Sequence, residues 1–491
     1  MKTLILTGAS AIALAMGGAA IAQDSGATLS SGIADCTTTS GGNCSDIEQT
    51  GVGETATVDQ SGSGQSISEI DQDGADNTAT VNQESTAGDA NESEIEQGGA
   101  AVDSTAEVDQ IGEGNLSSII QEGDDLLADV SQNGEDNSST VLQTIGADFA
   151  TTVVDQSGSQ NVSDVTQTGD FANVDVMQDN GDAGTLGNNS LVTQTGSGAA
   201  VIVTQSGQEN LSDVGQTASG ALVTVDQSGV SNRSLVDQAG AGVIVDVFQD
   251  GEDNMSTVDQ VAIGSSASVD QFGNDNTALI RERAEASGSI ITQDGNDNNA
   301  QIGQSDAAGL LFGFIPVPLI EADSASIAQE GNENRASVVQ LGINQSATVE
   351  QIGNNNTSGV PGDLSNIGVL QIGDSQTAEV TQMGDGNTSN VSQGIGSSLT
   401  FVTGASSFGN LAIVDQNGID GTSTIEQAGD ENAARLTDFG TDNVSFISQD
   451  GALNTADVAQ AGALNNSSVT QIGNGNTALV GQDTAAPSGS F

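Results

Sequence analysis

Histidine, tryptophan and tyrosine are absent from this 491-residue chain, and its six basic residues are Lys2 and five arginines. Without histidine there is no Ser-His-Asp arrangement, no Cys-His pair and no imidazole-ligated metal. Carboxylate chemistry remains open, because paired Asp or Glu can hydrolyse glycosidic bonds. A sugar cleft, however, usually offers aromatic platforms, which a chain without Trp or Tyr lacks, so no enzyme is expected. With hydrophobic residues at 35% and aromatics at 2%, there is little material for a large compact core. The formal charge of -61 excludes nucleic acid, whose phosphates need clustered Lys and Arg, and docking on anionic lipid. Cations, or a surface bearing them, are the favoured partners.

The first residues, MKTLILTGASAIALAMGGAAIAQ, put Lys2 ahead of a short apolar run that closes on Ala20-Ile21-Ala22. That is the layout of a secretory signal peptide over 1–22, with Gln23 opening the mature chain. No later apolar stretch is long enough to cross a bilayer as a helix. A secreted, extracellular location is therefore expected. Only two cysteines occur, Cys36 and Cys44, flanking TTTSGGN in an N-terminal segment over 23–48. In an exported protein they fit an intramolecular disulfide closing a small loop, whereas two thiols without histidine fall short of a structural zinc site.

What the chain has in abundance is repetition. From Gln194 the glutamines Gln205, Gln216, Gln227, Gln238, Gln249, Gln260 and Gln271 follow in steps of eleven, Glu282 takes the next place, and Gln293 and Gln304 continue. From Gln416 the same step reaches Gln427, Asp438, Gln449, Gln460, Gln471 and Gln482. Asparagine sits five places after alternate glutamines, at Asn210, Asn232, Asn254, Asn276 and Asn298, so the unit is twenty-two residues with two eleven-residue arms. Each arm joins a Gly-containing turn to a stretch alternating small or branched residues with polar ones, the period-two mark of a strand.

In the asparagine arm Ser212, Ser234, Ser256, Ala278 and Ala300, with Val214, Val236, Val258, Ile280 and Ile302, share a face with the amides. Val223, Val225, Val245, Val247 and Val269 supply the inward apolar residues of the other arm. The fold class expected is all-β: a β-solenoid of stacked two-strand rungs, cross-β in character. Buried amides normally cost free energy, but in a stack each Gln and Asn donates to one neighbouring copy and accepts from the other. The predicted ladder comprises Gln205, Asn210, Gln227, Asn232, Gln249, Asn254, Gln271, Asn276, Gln293 and Asn298. From Gln49 to Gln482 there is room for about twenty rungs, a rod on the order of 95 Å long at the strand spacing.

The step lengthens from Gln143 to Gln156, from Gln178 to Gln194 and from Gln304 to Gln329, where bulges or looped-out turns are expected. Repeats thus occupy 49–304 and 329–482, separated by an insertion over 305–328 and followed by a tail over 483–491. Within the insertion, LLFGFIPVPLI at 310–320 fits a cap folded over one rung or an exposed contact for another protein or a membrane.

The pattern Q-x-G-x-x-N-x-[A/S]-x-[V/I]-x-Q, carried by Gln249, Asn254 and Gln260 and again by Gln271 and Asn276, resembles the repeat of the curlin family, secreted subunits of curli amyloid fibres on bacterial surfaces. The resemblance implies export through an outer-membrane channel, self-association started by a nucleator subunit, and roles in adhesion and biofilm matrix. This chain has more repeats than an ordinary curlin, lacks its tyrosines and is far more acidic. The alternative is a monomeric acidic β-solenoid at the cell surface, binding divalent cations or a surface ligand.

One column concerns metal. Asp253, Asp275 and Asp297 precede successive asparagines and should align one rung apart. All-oxygen ligands so placed suit Ca²⁺ as a bridging ion, or they form a solvated acidic face that keeps the chain soluble. No other cofactor is implied. In a second column Asp237 and Asp259 should stack beneath Arg281, which offsets their repulsion.

Overall fold

The structure, a computed structural model, describes residues 42–86, 88–99, 101–181, 186–305, 323–360, 367–394 and 408–482. The signal peptide, Cys36, the 310–320 stretch and the 483–491 tail lie outside the described residues. Thirty-seven strands and no helix occur among them. Nineteen strands form one parallel sheet and the remaining eighteen a second. Apart from Thr357–Ser358 and Val369–Asp374, which follow each other in the first sheet, successive strands alternate between the sheets, so each rung faces both sides. Leu211–Gln216 belongs to what we term the asparagine sheet and Leu222–Val230 to the valine sheet. Both sheets are open ladders that run from the first rung to the last without closing on themselves.

Strand formation follows from the alternation. Along Leu222–Val230 the inward Val223, Val225 and Gln227 are buried while Leu222, Thr224 and Asp226 face outward. β-branched residues suit such a half-buried pleated surface. The stacking register is in phase with the repeat: Val223 pairs with Val245, and Gln205, Gln227, Gln249, Gln271 and Gln293 form one column. The core is a narrow seam of Val, Ile and Ala along the axis, flanked by the buried amides. The β-solenoid expected from the periodicity is the observed fold.

Two expectations need correction, and a third is narrowed. Among the described residues there are eighteen rungs rather than about twenty, because two short strands, Thr357–Ser358 and Val369–Asp374, share one rung and the longer steps consume residues outside strands. At about 4.8 Å per rung the array is roughly 80 Å long. The repeats also reach further than the intervals assigned to them. Cys44–Gln49 is already the first strand, and Ser324–Glu330 pairs with Gly288–Asp294, so the insertion between rungs is shorter than 305–328. Of the two forms expected at the lengthened steps, bulges within strands are not found, which leaves looped-out turns. Gln143 still pairs with Gln167, Gln178 with Gln205, Gln293 with Gln329 and Gln304 with Gln340. A one-residue slip would turn every inward side chain outward, so the surplus residues leave at the corners.

Candidate functional site

The chemistry of this chain is concentrated in its buried amides, and the two sheets divide the predicted glutamines between them. Gln205, Gln227, Gln249, Gln271 and Gln293 line the valine sheet, each Nε2 donating to the next Oε1 at 2.7–2.9 Å. On the asparagine sheet Gln194, Gln216 and Gln238 likewise donate to the next Oε1, at 2.8–3.2 Å. Each of these five valine-sheet glutamines has a second bond that the sequence did not reveal, to a backbone carbonyl of the opposite sheet: Gln227 to Leu211 and Gln249 to Arg233, both 3.1 Å. The glutamines therefore also clamp one sheet to the other.

The asparagines add backbone bonds to the expected side-chain ladder, in which Asn254 Nδ2 donates to Asn232 Oδ1 and Asn298 Nδ2 to Asn276 Oδ1. Asn254 Oδ1 accepts the backbone N–H of Asn276 at 3.1 Å and its Nδ2 at 3.0 Å, while Asn254 Nδ2 donates to the carbonyl of Gly273 at 2.7 Å. Asn210, Asn232, Asn276 and Asn298 repeat the scheme, each receiving the backbone N–H of the following corner residue. These side chains stitch the corners, where the turn leaves backbone groups without strand partners. Glutamine carbonyls accept from the preceding rung and asparagine carbonyls from the following one, so the two amide columns oppose each other along the axis.

A second asparagine column was missed. At the corners of the valine sheet the chain has Leu126, Ala150, Ala172, Ala199, Ala221 and Val243, all buried, but near the C-terminal end it has Asn410, Asn432, Asn454 and Asn476. Asn454 gives its backbone N–H to Asn432 Oδ1, and Asn476 to Asn454 Oδ1. The signal was present in the sequence: from Asn432 to Asn476 asparagine recurs every eleven residues instead of every twenty-two.

Two carboxylates occupy glutamine places. Glu282 is fully buried, accepts Gln260 Nε2 at 2.6 Å, and has its pKa raised to about 7 by burial, against the lowering effect of hydrogen bonds from Ser289 and Gln260. Asp438, one methylene shorter, turns sideways to accept Asn443 Nδ2 at 2.6 Å, and Gln416 Nε2 is left without a partner. Burial raises the pKa of Asp438 also.

The predicted calcium residues Asp253, Asp275 and Asp297 occupy equivalent turn positions, all exposed and all in the left-handed region with φ of 56°, 57° and 58°. Aspartate tolerates that conformation better than most residues. Partial burial, then the neighbouring Asp297, Asp253 and Glu252, raise the pKa of Asp275. Among the described residues no group of three or more Cys, Asp or Glu is gathered as a metal cluster. In the other column Asp237, Asp259 and Arg281 are in register as expected, but Asp259 makes its ion pair with Arg283, at 3.5 Å. Arg281 shares the outward face of the strand, while Arg283 lies just past its end and bends back across the rung.

A search of curated proteins returns no match. The curlin associated repeat family matches residues 103–134, 245–273, 321–353, 331–360 and 454–483. These stretches of the chain are curlin associated repeats. The match at 245–273 spans a valine-sheet strand, the corner at Asn254, an asparagine-sheet strand and most of the next valine-sheet strand. That match thus covers one full rung and part of the next, including the ladder residues Gln249, Asn254, Gln260 and Gln271.

Proposed function

We propose that this curlin-repeat protein is a secreted structural subunit that self-associates end to end into curli-type extracellular fibres serving adhesion and biofilm matrix, with no enzymatic role. The observation that carries this reading is the match between its two ends. Among the described residues the first rung, Cys44–Gln49 with Thr55–Gly62, pairs only with the second, and the last, Asn466–Ile472 with Thr477–Gln482, only with the one before it. Such open edges template further strands. The inward residues of the last rung are Ser467, Val469 and Gln471 with Ala478, Val480 and Gln482, and those of the first are Ser45, Ile47 and Gln49 with Ala56, Val58 and Gln60.

Stacking the last rung of one chain under the first of another continues every column. Gln471 and Gln482 would donate to Gln49 and Gln60, and the acidic Asp46, Glu48 and Asp59 would meet Ser468, Thr470 and Gly481. No like charges face each other across that joint. The resulting fibre is polar, with all chains pointing one way. A nucleator subunit and an outer-membrane channel are the partners that the curlin repeats suggest.

Fibre diffraction of the purified mature protein is expected to show the inter-strand reflection along the fibre axis. Val480→Asp, which puts a charge into the exposed seam of the last rung, is expected to slow elongation at least tenfold, on the order of 1.4 kcal/mol or more at the joint, while the inner rungs keep their strand signal. Monodisperse rods roughly 80 Å long under negative stain would instead support the monomeric acidic solenoid.

The acidic turns set the conditions of assembly. Because the folded-state pKa of Asp275 is raised, protonation on lowering the pH relieves its column, and elongation is expected to quicken toward acid. Calcium bridging of Asp253, Asp275 and Asp297 predicts a further acceleration by Ca²⁺ over Na⁺ at matched ionic strength. The gain should vanish when all three are changed to Asn. An equal gain in both proteins would remove the bridge.

A further inference from the structure

The asparagine-sheet glutamine ladder runs through one acid. Gln260 donates to Glu282 Oε2 as it would to a glutamine carbonyl, so Glu282 Oε1 takes the place that Nε2 has elsewhere in the column. That place has two acceptors and no donor. In the neighbouring glutamines Nε2 donates to the next ladder oxygen, and often to a backbone carbonyl sixteen residues earlier, as Gln216 does to Ala200 and Gln304 to Gly288. By register these acceptors for Glu282 are Gln304 Oε1 and the Ser266 carbonyl. An ionised carboxylate there sets oxygen against oxygen, and Glu282 Oε1 is buried with no hydrogen-bond partner. Ser289 donates its hydroxyl to Gln304 Oε1 at 3.1 Å and also bears on the Glu282 carboxylate, but it has one proton for the two.

We propose that Glu282 is a proton-controlled joint in the stack: neutral, it acts as a glutamine and carries the ladder through to Gln304; ionised, it cuts the ladder and loosens the rungs on either side. A carboxylic acid has the shape of a carboxamide and one O–H in place of one N–H, so protonation supplies the missing donor.

The joint is insulated from other charges. On the strands packed around Thr277–Glu282, the ionisable groups are Asp259 of Met255–Gln260, Asp270 of Ser266–Asn274 and Asp294 of Gly288–Asp294, and Asn299–Ser305 carries none. Those three aspartates, with Arg281 on the same strand and Arg283 just beyond it, alternate with the inward residues and face outward. None of them figures among the causes that shift Glu282, of which burial is the largest. Its folded-state pKa of about 7 lies above the ordinary value of 4.5, so the folded chain binds the proton more tightly. The stabilisation is complete below the ordinary value, declines as pH rises through the interval, and is gone above the folded-state value.

The test is hydrogen-exchange protection of the amides in Thr277–Glu282 and Asn299–Ser305 in the full mature chain, from pH 4.5 to 8, for the parent and for Glu282→Gln. Protection in the parent should fall, relative to the variant, by up to roughly tenfold per pH unit across the interval and then level off. Glu282→Gln should remove that dependence and leave Leu211–Gln216 unchanged. Glu350→Gln, the same charge change on an exposed outward position, is the control. Equal behaviour of the two variants, or parent protection around Glu282 that follows the distant strand at every pH, would overturn the joint.

Discussion

Gly251→Ala is expected to open the stack between two rungs and to destabilise them by roughly 4 kcal/mol, the sum of a strained backbone and forced overpacking. Gly251 has φ of +133°, where side chains are disfavoured, and a Cβ on it would overlap the carbonyl oxygen of Gly273 in the next rung. The two causes are separate. Rotating the peptide relieves the first without moving the second, because Gly273 is held in strand Ser266–Asn274, in register with Gly251. The turn glycines Gly207, Gly229, Gly251 and Gly273 form a column in which each Cβ would meet the next carbonyl, so the fault cannot be passed along the axis. Gly303 supplies the contrast: it lies in a strand, has no positive φ, and a Cβ there would meet only Val339 at 4.0 Å. Gly303→Ala is expected to change stability by less than about 0.5 kcal/mol. Hydrogen exchange of the flanking strands in both variants decides the matter, and equal effects would mean that rung contact does not constrain the turn.

Asn254→Leu is expected to cost about 4 kcal/mol and Gln249→Leu about half as much, although both remove one buried amide of nearly equal size. Loss of the Asn254 side chain strips the Asn276 backbone N–H of its acceptor and the Gly273 carbonyl of a donor, and Asn276 lies at the corner between two strands. A buried backbone donor left in this way costs about 1–3 kcal/mol by itself. When Gln249 is lost, Gln227 Nε2 keeps its bond to the Leu211 carbonyl; Gln271 Oε1 and the Arg233 carbonyl each lose a donor, but no backbone N–H loses its acceptor. Denaturant unfolding of the two variants gives the order directly. A larger loss for Gln249→Leu would assign the greater share of the stacking energy to the glutamine column.

Much of this architecture was legible in the sequence because stacking makes it repeat. Identical residues recur at Gln227, Gln249 and Gln271 because each bonds to its own copy, and Val245 and Val247 alternate because only one face of the strand is dry. The acid in the ladder was visible as a break in the glutamine series at Glu282. Less legible was anything that depends on partners at other sequence distances. The clamp from Gln249 to the Arg233 carbonyl crosses between sheets, and the ion pair of Asp259 skips Arg281, its partner by register, for Arg283 beyond the strand. The second asparagine column, from Asn432 to Asn476, was overlooked because the twenty-two-residue period of the middle repeats was carried across a region with a period of eleven.

By itself the sequence determined the parallel β-solenoid, its two-arm rung and the columns of glutamine and asparagine, since a one-residue slip would expose every valine and bury every aspartate. It also determined that the chain carries a strongly acidic surface. Tertiary structure alone decided which backbone groups the amides satisfy, how many rungs the surplus residues leave, and that Glu282 stands fully buried between Gln260 and Gln304. The physical reason is that periodicity encodes contacts between equivalent positions, whereas burial, cross-sheet bonds and a carboxylate's proton affinity depend on non-equivalent groups that only folding brings together.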